Sequence, residues 1–349
     1  MAIILSATNI VVTHAQKADA EKLPALPAPF QTYPDRKPFS AVQLGPGNTF
    51  SVSKVPKDYT LVSFTFSQDG RRLALGWESE KIELFDLQTK QRVSEYNSGV
   101  GNPLVLKFTP GADQLIVAGP HGRLSFLESV SGKEIKRWKI PPGKYKYDIQ
   151  VVVIDPHGKW LAYADEESSK VLDCTGRSPV PLADLKDAGS IALSPDGSEL
   201  WTVNRKVLTR FSTSTWQQTG EWPLQSAPIN TSPVVVRAGA STEGQAAVAV
   251  PTSKGLLIYR EPEMIGNYAS DQPTDAVAFA SAGRLFVNLS PHLTFLKPSG
   301  EAICIRSYSG RYDYSISDDG QWLALSQSGS VDLWRMDDLL RECAATSGM

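Results

Sequence analysis

A short turn signal recurs along this chain at nearly even intervals, and no other feature narrows the fold as far. It reads Ser67-Gln68-Asp69-Gly70, Thr109-Pro110-Gly111-Ala112, Asp155-Pro156-His157-Gly158 and Ser194-Pro195-Asp196-Gly197, then Ser241-Thr242-Glu243-Gly244, Ala280-Ser281-Ala282-Gly283 and Ser317-Asp318-Asp319-Gly320. From Gly70 to Gly320 is 250 residues in six intervals, a mean period of about 42. Proline presets φ and glycine accepts positive φ, so these are tight turns between strands.

The flanks repeat as well. An apolar, β-prone run precedes each turn (LVSFTF, LVLKF, IQVVVI, IAL, VVVR, AVAF, YDYSI), and a second short strand such as RRLALG or KWLAYA follows it. A third strand ends in a large apolar residue at Phe85, Phe126, Leu172, Phe211, Tyr259, Leu296 and Trp334, each 13–15 residues beyond its turn when Gly111 marks the second. Several third strands run into a further turn and a fourth strand, as in DLQTKQRV and KPSGEAIC. A period near 42 with four short strands per repeat predicts an all-β, seven-bladed β-propeller.

The last repeat breaks the pattern: after VDLWRM comes DDLLRECA, whose leucines are spaced for a helical turn. A propeller needs a fourth strand there to hide its sheet edge. The β-prone run Phe39–Val55 is the predicted donor, so that an amino-terminal strand completes the last blade. The expected layout is a signal peptide at 1–15, a proline-rich linker at 16–38, the propeller at 39–343 and a tail at 344–349.

The segments FSQDGRRLALG, IELFDLQTK, LSPDGSELWTV and ISDDGQWLALSQSGSVDLW resemble the WD-repeat and YVTN-type β-propellers of bacteria, over residues 40 to 343. The resemblance implies the architecture and says little of function, because propellers host unrelated activities. The chain also departs from the eukaryotic WD pattern. No blade carries the Gly-His dipeptide, and the Trp-Asp pair survives only as Phe85-Asp86 and Leu172-Asp173, with Trp334 followed by Arg335. The hydrogen-bonded tetrad of those proteins is therefore expected to be missing.

A net charge of −2 gives no field for gathering polyanions, so no nucleic-acid partner is expected. No apolar run reaches the length of a membrane span, and none is expected in the mature chain. Residues 2–12 form an apolar stretch of signal-peptide length, followed by Thr13-His14-Ala15 with a small residue at the cleavage position, although no Lys or Arg precedes Lys17. Export to the periplasm or outside the cell is the first expectation and a cytoplasmic location the alternative. The cysteines are Cys174, Cys304 and Cys343, with no CxxC pair. Inert buried thiols are the leading expectation, and a Cys304–Cys343 disulfide is the other.

Catalytic constellations are sparse. The histidines are His14, His121, His157 and His292, spread over the signal segment, a turn and distant links. They give no metal set or triad, and no GxSxG, P-loop or HExxH occurs. No cofactor is expected.

One cluster stands above this background. In a propeller, the links from a fourth strand to the next first strand share a face with the links between second and third strands. Here those links carry Trp77, Lys144, Tyr145, Lys146, Tyr147, Tyr268, Tyr308, Arg311 and Tyr312. Tyrosine and arginine dominate interface hot spots, so this is the candidate partner-binding face; packing between blades is the competing role. The expected function is a non-enzymatic protein-interaction scaffold. The alternative is an enzyme or enzyme subunit, lactonase- or hydrolase-like, that takes a small molecule at the channel mouth.

Overall fold

The computed structural model describes residues 60–140 and most of 148–346, with 12–14, 29 and 31–33; the breaks after 148 fall at 166–167, 187–188, 195, 205–206, 226–233, 238–245, 261–262, 270–275, 281–284, 290–292, 298, 300, 307–313, 318–319 and 328–329. The chain divides into two compact units.

One unit spans Leu26–Ile191 and Ser309–Glu342. Its first sheet is Leu61–Phe66, Arg72–Trp77, Lys81–Asp86 and Gln91–Asn97, hydrogen-bonded in that order. The second is Val105–Phe108, Gln114–Gly119, Arg123–Glu128 and Glu134–Lys139, and the third is Val151–Ile154, Trp160–Ala164, Ser168–Asp173 and Val180–Lys186. The last sheet in sequence is Tyr314–Ile316, Trp322–Gln327 and Ser330–Arg335, with Gln31–Tyr33 as its fourth strand. The first sheet packs on the last and on the second, and the second packs on the third. Phe66, Leu73, Trp77 and Phe85 meet Trp322, Val331 and Leu333; Ile82 and Leu84 meet Leu106, Phe108 and Leu115; Phe126 and Trp138 meet Ile154, Leu161 and Leu172.

The other unit spans Met1–Ala25, Ala192–Tyr308 and Cys343–Met349. A four-stranded sheet starts at Ser190–Leu193 and continues through Glu199–Val203, Val207–Ser212 and Gln218–Pro223. The next sheet holds Val234–Arg237, Ala246–Thr252, Gly255–Arg260 and Glu263–Ala269, and the third Ala276–Ala280, Leu285–Leu289, Leu293–Leu296 and Ala302–Arg306. Trp201, Val203 and Leu208 pack on Val248, Leu257 and Tyr259.

Among the described residues four-stranded sheets thus number six, where seven four-stranded blades were predicted. The remaining sheet has five strands, because Val12–His14 lies parallel to Glu263–Ala269 in the register Val12↔Asn267, Thr13↔Tyr268, His14↔Ala269. The predicted donor strand also moves. Phe39–Val55 lies outside the described residues, and the strand antiparallel to Ser330–Arg335 is Gln31–Tyr33, with Thr32 opposite Asp332. That strand falls inside the stretch read as linker, whose prolines flank it at Pro29 and Pro34.

The turns repeat at atomic detail. In the first, the Gly70 N–H donates to the Ser67 carbonyl at 2.9 Å, while the Arg72 N–H donates to Ser67 Oγ at 2.9 Å. Ser194 and Ser317 make the same pair of bonds with Gly197 and Glu199, and with Gly320 and Trp322. The closing residue sits at positive φ in every one of these (Gly70 64°, Gly197 72°, Gly320 68°). In the second turn that place is held by Ala112 at φ 60°, whose N–H donates to the Thr109 carbonyl. Gly111, the residue aligned with the other glycines by sequence, is one position early.

Phe85, Phe126, Leu172, Tyr259, Leu296 and Trp334 are buried, and Phe211 is half-buried, as the third-strand ends of a repeat should be. The helical spacing at the carboxyl end is a helix, Met336–Thr346, which extends into the predicted tail. Cys304 and Cys343 form a disulfide and only Cys174 is free, so the leading expectation of three thiols is corrected. Among the described residues no helix is long and apolar enough to cross a membrane.

Candidate functional site

Two residues of the predicted face are inside the protein. Trp77 ends the second strand of the first sheet and is 1% exposed, within the cluster shared with Trp322 and Leu333. Its Nε1–H donates to Glu83 Oε2 at 2.9 Å, and Arg92 Nη1 holds Glu83 Oε1 at 2.8 Å. Glu83 is itself buried. A buried carboxylate needs such donors, so the indole has a structural task. Trp77→Phe should therefore cost about 2 kcal/mol from the lost buried hydrogen bond and lost volume, read by denaturant melts; an unchanged midpoint would contradict the assignment. Tyr268, in Glu263–Ala269, is 5% exposed, and burial raises its phenol pKa while a hydrogen bond with Thr294 opposes the rise. Neither ring is presented to a partner. Lys144, Tyr145, Lys146, Tyr147, Tyr308, Arg311 and Tyr312 lie outside the described residues.

A different recess opens between the turns of the second and third sheets. A cavity of about 330 Å³ is lined by Thr109, Asp113, Gln114, Phe126, Lys136, His157 and Cys174, with prolines from both turns. Lys136 is the best-fixed group in it. Its Nζ donates to the Cys174 carbonyl and, at 3.4 Å, to the Gly176 carbonyl. It also sits 4.4 Å from the Phe126 ring centre and 4.8 Å from that of Trp138. Trp138 Nε1 donates to the Arg177 carbonyl at 2.7 Å, so the outer strand of one sheet is laced to a loop of the next. Burial lowers the Lys136 pKa and pushes the Cys174 thiol up to about 12, which keeps that sulfur protonated and poorly nucleophilic. The recess offers hydrogen bonds and a cation without an activated nucleophile. Among the described residues no group of three or more His, Cys, Asp or Glu is placed to hold a metal ion.

The large apolar side chains left in solvent have a pattern of their own. Among the described residues they are Val93, Val130, Ile135, Val180 and Leu182. Val93, Ile135, Val180 and Leu182 lie on the outermost strands of the first, second and third sheets, and Val130 lies in the turn leading into one of them. The sequence reading missed this band, although the strings EIKRWK and VPLADLK carry it.

No protein-family model matches the chain, and no curated protein does. Solved structures do match. One is the Cps50 (Swd1) β-propeller domain of Myceliophteria thermophila, with a TM-score of 0.60 at 14% identity, covering 79% of this chain and 97% of that one. The fold is a WD-repeat-like β-propeller. Identity this low carries the propeller architecture and nothing of the relative's role.

Proposed function

We propose that this propeller is a non-enzymatic scaffold that binds other proteins. The observation that supports the reading is that, among the described residues, four of the five exposed large aliphatic side chains lie on the outer strands of three successive sheets, with the fifth in a turn leading into one of them. Clustered apolar side chains at unpaired sheet edges mark interaction surfaces, whereas scattered ones mean little. The links at 144–147 and 308–312, with their tyrosines beside cations, are proposed as a second contact surface. The repeats are proposed to close into a single ring, with Gln31–Tyr33 as the closing strand.

The test is cross-linking mass spectrometry on host lysate with wild type and a Val93→Lys, Ile135→Lys, Val180→Lys, Leu182→Lys variant. Captured proteins should cross-link at Lys133 and Lys139, and the variant should lose at least ten-fold in capture with its melt unchanged. Undiminished capture by the variant would refute the assignment of the interface to these edges.

We further propose an oxidising, extracytoplasmic location, periplasmic or secreted. It is supported by the Cys304–Cys343 disulfide, because such bonds persist outside reducing compartments. The bond closes a loop of sequence separation 39, for which chain entropy gives about 4 kcal/mol. Cys343→Ser should cost about 2–4 kcal/mol in oxidised protein and nothing in the presence of reductant. Native protein found in the cytosol with both thiols free would refute the location.

A further inference from the structure

The seams between sheets follow the repeat as the turns do, and one of them is left open. Ser67, Thr109 and Asp155 each donate an N–H to the carbonyl five residues on, at Arg72, Gln114 and Trp160, so those three share one position of the repeat. Ala112 and Gly158 share another, since each closes its turn by an N–H to Thr109 or Asp155. Ser129 and Cys174 share a third, with N–H groups on the Asp113 and Lys159 carbonyls. Between the first and second sheets, Arg72 spans this place. Its Nη1 donates to the Ala112 carbonyl and to Ser129 Oγ, both at 3.0 Å, while the Tyr96 hydroxyl donates to the Ser129 carbonyl at 2.8 Å. Between the second and third sheets the corresponding residues are Gln114, Gly158 and Cys174, and all three line the recess of about 330 Å³. Lys136 takes the Cys174 carbonyl there, as Tyr96 takes that of Ser129. The shorter glutamine leaves open the volume that an arginine bridges one seam earlier.

The lining decides what such a recess can hold. Lys136 places two of its three donors on the Cys174 and Gly176 carbonyls and keeps one. The Gln114 side-chain amide and the His157 imidazole make no hydrogen bond to other described residues. A guest cation would meet the Lys136 ammonium, whereas a guest carboxylate would neutralise it through a charge-assisted hydrogen bond. The opposing charge is the Asp113 carboxylate, which is exposed and therefore screened by water. Phe126, Ile154, Pro110 and Pro156 add apolar wall. We propose that this recess binds a small apolar monocarboxylate, its carboxylate on Lys136 and Gln114 and its body against Phe126. The volume lies at the low end of ligand pockets, roughly 300–1,000 Å³, which suits a free acid better than a protein chain. The site goes beyond the scaffold reading and stands on different residues.

The test is calorimetric titration of the full chain with phenylacetate, which should show one saturable site. Phenylacetamide keeps the ring but not the charge and should bind at least ten-fold more weakly. That comparison uses the native chain, so it holds whatever the stability of any variant. Gln114→Arg supplies the side chain that fills the neighbouring seam, and it should weaken phenylacetate binding at least ten-fold without lowering the melting temperature. Lys136→Met should weaken binding by a similar factor, while Asp113→Asn, which removes the like charge at the rim, should tighten it. No saturable binding of phenylacetate, equal binding of the amide, or undiminished binding by Gln114→Arg overturns the site. Tighter binding of acetyl-glycyl-phenylalanine than of phenylacetate would overturn the free-acid assignment and give the recess to the carboxyl terminus of a chain.

Discussion

Deleting residues 1–36 should expose the edge of Ser330–Arg335 and lower the melting temperature by roughly 5–10 °C, with concentration-dependent aggregation. The deletion removes Gln31–Tyr33, the fourth strand of the last sheet in sequence. Three paired residues at about 1 kcal/mol of net hydrogen bonding apiece set the scale of the loss at about 3 kcal/mol. The bare edge then offers its unpaired groups to other chains. Deleting only residues 1–11 keeps both added strands and should melt like the full chain. A narrower version, Thr32→Pro, should move the melt in the same direction, since proline cannot join a ladder freely. If the 1–36 deletion melts cooperatively at the wild-type temperature, Gln31–Tyr33 does not complete that sheet.

Gly122→Ala should be among the most damaging single substitutions, costing at least about 3 kcal/mol. Gly122 follows His121 at positive φ (71° and 62°), and its carbonyl accepts the Ile140 N–H at 2.8 Å. A methyl group there would stand 2.4 Å from the Ile140 carbonyl oxygen, which is backbone and cannot swing away. Gly158 supplies the control, with φ at 69° and nothing within 4 Å of an added Cβ. Gly158→Ala should cost only the left-handed backbone penalty of about 1–2 kcal/mol. Urea midpoints for the two variants separate sterics from conformation, and equal losses would mean that the Ile140 contact is not rigid.

The contrast between these glycines also shows what could be read from residues alone. The repeat was legible because turns and strand ends are short-range chemistry: Ser67, Ser194 and Ser317 cap their turns the same way, and the strand-end residues are buried where the period puts them. Ala112 was hidden because an alanine at positive φ carries no composition signal beside a neighbouring glycine. Trp77 and Tyr268 were misread because they fall within the strands Arg72–Trp77 and Glu263–Ala269 rather than in links, with Glu83 and Thr294 as hydrogen-bond partners inside the protein. Gln31–Tyr33 was invisible for another reason. Three residues between prolines read as extended linker, and only a partner some 300 positions later makes them a strand. The Cys304–Cys343 pair follows no spacing motif and depends on where the final helix begins. The edge aliphatics needed knowledge of which strands remain uncovered.

The pairing of Gln31–Tyr33 with Ser330–Arg335 also imposes a schedule. The first partner leaves the ribosome about 300 residues before the second. At typical synthesis rates of roughly 5–20 residues per second that is a wait of about 15–60 s. Throughout it, the early segment must stay clear of the sheet edges forming downstream of it, each a chance to pair in the wrong place. Such distant contacts also slow folding, since the chain must bear the closure entropy before the ladder rewards it. The flanking prolines then acquire a second role: they keep the strand too short and too poor in donors to be captured early, while leaving it long enough to seat once its proper edge exists.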